Sequence, residues 1–187
     1  NIVLIGAPGT GKTTLAEAMA YEGKVIDRRG SIETNNTLSD NTDIEHEYKR
    51  SIYSTILFTE FMERKLNIID CPGSDDFCGS LFSAFKVGDV GVFLFNAQNG
   101  WEVGSEIQAR YARILKKPVI GVINQLDADK ANFEAAYESI KAASRVKPVI
   151  VQYPVNQGPE FNAFIDVLLM KMYRFKDHDC LLYTSPS

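Results

Sequence analysis

Short apolar runs alternate with helix-period segments along the chain. Residues 2–5, 66–69, 90–95 and 119–123 are continuous apolar runs of strand length, while 12–21, 105–115 and 133–143 carry helical spacing. Strands apolar on both faces and separated by helices predict a parallel sheet covered on both sides. Residues 52–61 stand one short turn before 66–69, which predicts an antiparallel hairpin at the sheet edge, and 149–151 reads as a further strand. The expected fold class is α/β, a mostly parallel sheet flanked by helices with one antiparallel edge strand.

Two segments interrupt this rhythm. Residues 23–48, with SIETNNTLSDNTD at their centre, offer too little apolar surface to offset the cost of ordering them, and a loop of that length inside a domain is usually functional or mobile. After Val155 a turn-rich stretch leads into Met170, Met172 and Phe175 alternating with Lys171 and Arg174, the start of an inserted or second domain. Residues 180–187, CLLYTSPS, bear no relation to what precedes them and read as a non-native tail. The first residue is Asn1, so the natural protein is expected to begin upstream. The expected partition is 1–154, 155–179 and 180–187.

Composition narrows the function classes. The chain has 187 residues, 45% of them hydrophobic and 24% charged, enough to bury a core. Lys and Arg total 20 against 24 Asp and Glu, and a net charge of -4 argues against wrapping bare nucleic acid by charge alone. No apolar run approaches the roughly 18 to 20 residues that cross a bilayer, so a soluble, cytoplasmic protein with no membrane partner is expected. Cys71, Cys78 and Cys180 form no CxxC or Cys/His metal pattern, and His46 and His178 lie near no nucleophile motif.

Three motifs carry chemistry. Gly6, Ala7, Pro8, Gly9, Thr10, Gly11, Lys12 and Thr13 spell GAPGTGKT, the G-x-x-x-x-G-K-[ST] phosphate loop, directly after a strand and opening a helix, with Thr14 following. Its glycines let backbone N–H groups converge on phosphate oxygens, Lys12 reaches the β and γ phosphates, and the Thr13 hydroxyl can ligate Mg²⁺. This loop alone suits a P-loop ATPase or a nucleoside kinase equally well. Asp70, Cys71, Pro72 and Gly73 fit DxxG after a strand, with Asp70 holding Mg²⁺ through water and the Gly73 N–H meeting the γ-phosphate. Asn124, Gln125, Leu126 and Asp127 fit NKxD with glutamine in place of lysine, at the carboxyl end of a strand where open α/β sheets bind ligands. Asp127 would accept from guanine N1–H and N2–H₂, and an adenine would leave that carboxylate unpaired.

With these motifs, NIVLIGAPGTGKTTL, RSIYSTI, NIIDCPGSDDF and VINQLD, the chain resembles the GTP-binding domain of elongation factor G among the translational GTPases, nearest to divergent elongation factor G-like paralogues of Bacteroides type. The resemblance runs from about residue 2 to 175. It implies a P-loop NTPase domain over 1–154, GTP or GDP and Mg²⁺ as ligands, ribosome engagement, a monomer, and two switch segments at 23–53 and 70–85. It assigns Lys12, Gly73 and Ser74 to the hydrolytic step, Thr13 and Asp70 to the metal, and the three motifs with Ser74 to the nucleotide.

Four residues depart from that family's pattern. Gly9 replaces the P-loop aspartate, Tyr53 stands where the first switch has its Mg²⁺-ligating threonine, with Ser54 or Thr55 as substitutes after a register shift, and Gln125 loses the lysine that lies along the base. Ser74 replaces the histidine that orients attacking water, and the final Ser-Ala motif is absent. A positioned proton-handling or water-orienting group contributes about 10² to 10⁴ in rate, so GTP binding with very slow hydrolysis is expected. A nucleotide-gated ribosome-binding module without chemistry is the remaining alternative.

Overall fold

The computed structural model describes residues 1–34, 36–39, 42–48, 50–176 and 179–184. The chain divides into two compact units, one of Asn1–Phe95 with Glu102–Val122, the other of Asn96–Trp101 with the chain from Ile123 onward.

In the first unit β1 (Ile2–Gly6) runs through the middle of a five-stranded sheet. It pairs in parallel with β3 (Arg64–Asp70) and β4 (Val90–Asn96), β2 (Thr55–Phe61) closes one edge beside β3, and β5 (Val119–Asn124) lies beside β4. The β2 to β3 pairing is antiparallel from Thr55 opposite Asp70 to Phe61 opposite Arg64. Met62 and Glu63 both take positive φ, 49° and 60°, as a two-residue turn matched to strand twist requires. The expected α/β class with one antiparallel edge strand is what the chain adopts.

Helix α1 (Lys12–Glu22) covers the sheet through small residues. Ala16 and Ala20, one turn apart, are fully buried, and Leu4, Ala16 and Ile68 form a core against which Leu15, Met19 and Leu57 pack. Helix α3 (Cys78–Val87) and helix α4 (Val103–Ile114) complete this layer arrangement. Glu102 caps α4 in a reciprocal box with Ser105, and Glu106 adds an acid in the first turn.

The polar stretch after α1 is built differently from the expected unstructured loop. It contains a short helix, α2 (Asp43–Tyr48), and its described residues hang on two buried carboxylates. Glu17, 1% exposed on α1, accepts from Gly30 N at 3.0 Å and from Leu38 N. Glu45, 2% exposed, accepts from Ile52 N at 3.0 Å and Tyr53 N at 3.1 Å through one oxygen, and from the Thr42 hydroxyl at 2.8 Å through the other. Charge-assisted bonds to backbone N–H groups supply here what apolar burial cannot. Asn35, Asp40, Asn41 and Lys49, within the expected first switch segment, lie outside the described residues.

The second unit holds helix α5 (Phe133–Ala143), capped by Asn132 Oδ1 accepting from Ala135 N at 2.9 Å, and a four-stranded antiparallel sheet. That sheet is β6 (Gln152–Pro154), β7 (Ala163–Asp166), β8 (Lys171–Lys176) and β9 (Asp179–Thr184) in order. Phe164 stacks on Tyr173 at 5.1 Å and meets Phe175 at 5.7 Å, giving the sheet an aromatic face. The strand expected at 149–151 falls instead at Gln152–Pro154, pairing with β7; Val149 is 81% exposed and Val151 O accepts from Val167 N outside any ladder. The backbone of 179–184 pairs with β8, from Lys176 opposite Asp179 to Lys171 opposite Thr184, so most of the segment that carries no pattern in the sequence has a strand partner. Residues 185–187 of that tail, and His178, lie outside the described residues.

Burial raises the Glu45 carboxyl, but its bonds from Ile52, Thr42 and Tyr53 outweigh that, and it is held below the ordinary carboxylate value. A depressed folded value stabilises above the unfolded value of about 4.3 and is lost as pH falls through the folded one. Amide protection factors over residues 42–48 and 50–53, taken against the intrinsic rate at each pH, are therefore expected to fall below about pH 4. In Glu45→Gln, which faces Thr42 with a donor, that segment should open more easily by about 1 to 3 kcal/mol at neutral pH while β1 and β3 keep their protection.

Candidate functional site

The phosphate loop leaves β1 at Gly6 and enters α1 at Lys12. Gly6 takes φ 146°, and a Cβ there would sit 2.4 Å from Leu94 O, so no larger residue fits. Gly11 caps the helix at φ 92° with no side chain over the first N–H groups and no acid in the first turn, leaving the positive helix end to a ligand. The Thr10 hydroxyl donates to Ala7 O at 2.9 Å and pins the loop, while Pro8, Gly9 and Thr14 are exposed.

Lys12 is 6% exposed, and its ammonium donates to Gly6 O at 2.8 Å and Ala7 O at 3.0 Å. Asp70, at the end of β3 and 2% exposed, accepts from the Thr13 hydroxyl at 2.8 Å. Gly73 lies directly against the loop, since a Cβ on it would meet Lys12 Nζ at 2.6 Å, Pro8 N at 2.8 Å and Ala7 C at 2.9 Å. One cavity of about 130 Å³ opens between these elements, walled by Lys12, Thr13, Ser51, Gly73 and Ser74 among others. It is too small for a whole ligand of the usual 300 to 1,000 Å³ and is scaled to the phosphate end of one. Of the residues predicted from the first two motifs, Pro8, Gly9, Gly11, Lys12, Thr13 and Gly73 line this cavity, Asp70 reaches it through Thr13, and Cys71 is buried away from it.

Residues outside those motifs also reach it. Ser51 Oγ lies 3.4 Å from Thr13 Oγ1, whereas Tyr53 is 57% exposed, Thr55 spends its hydroxyl on Ser39 O at 3.0 Å, and Ser54 Oγ is buried. Gln108, on α4, accepts from Gly6 N at 2.6 Å. Only the serine just after Arg50 in the RSIYSTI stretch gave a sequence signal, and that signal pointed two to four residues further on.

Cys71 is fully buried, and burial pushes its thiol up to about 12. It is neither nucleophile nor metal ligand at neutral pH. Among the described residues no group of three His, Cys, Asp or Glu side chains could hold a metal, and no helix is long and apolar enough to cross a membrane. Thr13 Oγ1 and Asp70 nevertheless fit Mg²⁺, which prefers hard oxygens, keeps several waters and takes few protein ligands.

Asn124 to Asp127 belong to the second unit, at the end of β5. Asn124 O accepts from Ala97 N at 2.9 Å, Gln125 takes φ 60° and accepts from the Asn96 carboxamide, and Leu126 O accepts from Gly158 N at 2.7 Å. Asp127 is exposed at this turn.

The family model of the elongation factor Tu GTP binding domain matches residues 1–180. The chain belongs to this family. It is a GTP-binding domain of the translational GTPases, with the P-loop architecture described above. Elongation factor G of Salinibacter ruber is 31% identical over 177 residues, covering 95% of this chain and 25% of that protein. Elongation factor G 2 of Borreliella afzelii is 28% identical over 175 residues, 94% and 26%. Tetracycline resistance protein TetO of Campylobacter coli is 29% identical over 162 residues, 87% and 25%. The crystal structure of ttk003000868 from Thermus thermophilus superposes with a TM-score of 0.91 at 27% identity, over 99% of this chain and 28% of that one. The chain spans about a quarter of the length of the relatives it matches. This family assignment decides for a guanine nucleotide over the ATPase and kinase readings that the GTP-binding domain's loop alone leaves open.

Two outcomes follow for the GTP-binding domain. Gly73→Ala places a methyl group against backbone that cannot yield, and triphosphate affinity should fall by about tenfold or more in a nucleotide titration. The Cys71 peptide should stay unlabelled by iodoacetamide at pH 8 in the native protein and become labelled in denaturant, as peptide mass spectrometry would show.

Proposed function

We propose that this domain is the nucleotide switch of an elongation factor G-like protein that acts on the ribosome in the cytoplasm, binding GTP and GDP with Mg²⁺ and hydrolysing GTP very slowly. The observation that carries the reading is the shared cavity in which Lys12, Thr13 and Gly73 meet a serine, Ser74, at its wall. Residues 155–179 are then the start of a subdomain inserted into the GTP-binding domain.

The geometry supports the following roles. Lys12 exchanges its two backbone carbonyls for phosphate oxyanions, which are stronger partners for an ammonium. Loop N–H groups and the α1 terminus take the remaining oxygens. Thr13 and Asp70 hold Mg²⁺, with Ser51 the nearest hydroxyl of the first switch segment. When bound, the metal neutralises charge that builds on the phosphate oxygens during transfer. Gly73 N–H is the candidate donor to the third phosphate. Ser74 can donate or accept one hydrogen bond, but its hydroxyl lacks the reach and basicity of an imidazole, so the attacking water is poorly oriented. Gln125, tied to Asn96, replaces the usual lysine beneath the base, and Asp127 reads its N1–H and N2–H₂ edge.

The test uses the full-length protein. Fluorescent GDP should bind and an ATP analogue should not, with a discrimination of about 10⁴ or more. Asp127→Asn should move preference to xanthosine nucleotides; unchanged guanine preference would refute the base reader. On ribosomes, Ser74→His should raise multiple-turnover phosphate release by at least about tenfold. A wild-type rate equal to that of an ordinary elongation factor G would contradict slow hydrolysis.

A further inference from the structure

Helix α4 contributes a side chain to both halves of the phosphate site, although it carries none of the three motifs. Gln108 is 3% exposed, on the face of α4 turned to the sheet. Its Oε1 accepts from Gly6 N at 2.6 Å, and its Nε2 donates to Gly6 O at 3.2 Å and to Gly73 O at 3.3 Å. A carboxamide has one acceptor oxygen and two N–H donors, and all three functions are engaged. With Gly6 it pairs as a neighbouring strand would, at the residue where β1 turns into the loop.

We propose that Gln108 is a positioning residue that ties Gly73 to the phosphate loop and so lets the site distinguish GTP from GDP. The inference rests on the reading that a guanine nucleotide's phosphates occupy the Lys12 cradle. Its first support is the shared acceptor. Gly6 O receives both Lys12 Nζ and Gln108 Nε2, so when Lys12 turns to a phosphate the carbonyl keeps a donor and no buried polar group is stranded. Its second is the inequality of the two ends. Two bonds, at 2.6 and 3.2 Å, hold the carboxamide to Gly6, and a single bond at 3.3 Å links it to Gly73 O. Its third is placement. The bond to Gly73 O fixes the peptide joining Gly73 to Ser74, the step of chain that faces Lys12 and carries the serine into the cavity wall.

Two variants of the full-length protein separate this from a purely structural role. Gln108→Glu keeps the acceptor for Gly6 N–H but turns an acceptor oxygen toward Gly6 O and Gly73 O; Gln108→Leu removes all three bonds. Affinities for GDP and the slowly hydrolysed analogue GTPγS are measured by fluorescence titration for both. The GTPγS to GDP affinity ratio should fall by about tenfold in each variant, the scale of one lost buried hydrogen bond. General destabilisation would weaken both nucleotides alike, and a ratio within twofold of wild type overturns the proposal. Should either variant fail to fold, the wild-type protein still decides: the Gln108 carboxamide NMR signals should shift between the GDP and GTPγS complexes, and coincident signals would overturn it. If wild type binds neither nucleotide, it is the functional reading that has failed.

Discussion

The structure depends on backbone approaching backbone around one buried ammonium. Lys12 sits within hydrogen-bond distance of two carbonyls of its own loop, and Gly73 packs so close that a single methyl would collide with the ammonium and with loop backbone. Side chains could not build that cradle, because phosphate oxygens need several N–H groups converging on one point at close range. The sheet supplies the rigidity: β1 lies between β3 and β4 with Val3, Leu4 and Ile5 buried, and the loop and the Asp70 turn leave the carboxyl ends of two adjacent strands. Both halves of the phosphate site are therefore fixed by one parallel pairing, in which Leu4 lies opposite Asp70.

Around that rigid centre the described part of residues 23–53 is held by a different kind of force. Glu17 and Glu45, both buried, each gather backbone N–H groups from turns distant in sequence. Such anchoring is strong in sum but consists of bonds that can be exchanged one at a time, unlike a packed core, and it places the low-stability part of the unit beside the ligand cavity. Ser51 follows a few residues after the Glu45 helix and reaches Thr13, so the carboxylate network and the candidate metal ligands are mechanically continuous.

Much of this was legible in the sequence, for reasons that are local. The P-loop, the existence of a short turn between β2 and β3 and the apolar strands are each specified by neighbours along the chain, and the α/β class follows from their order. What escaped is non-local or polar. Gln108 stands 102 residues from Gly6 and looks like any helix glutamine until the fold brings the two together. Glu17 and Glu45 belong to no motif, and their burial shows only once the loop is wrapped onto them. The short helix at Asp43–Tyr48 has a Thr42 to Glu45 capping box that apolar periodicity does not register. The run at 149–151 has strand-like residues, but the ladder with β7 begins at Gln152, just past it, because that is where the register with β7 starts.

A high-resolution structure of the full-length protein with Mg²⁺ and a non-hydrolysable GTP analogue tests the account most directly. Lys12 Nζ should leave Gly6 O and Ala7 O for the β and γ phosphates, with Thr13 and Asp70 on the metal side and guanine against Asp127. A nucleotide bound elsewhere, or a Lys12 still bonded to its own loop carbonyls with the analogue present, would contradict it.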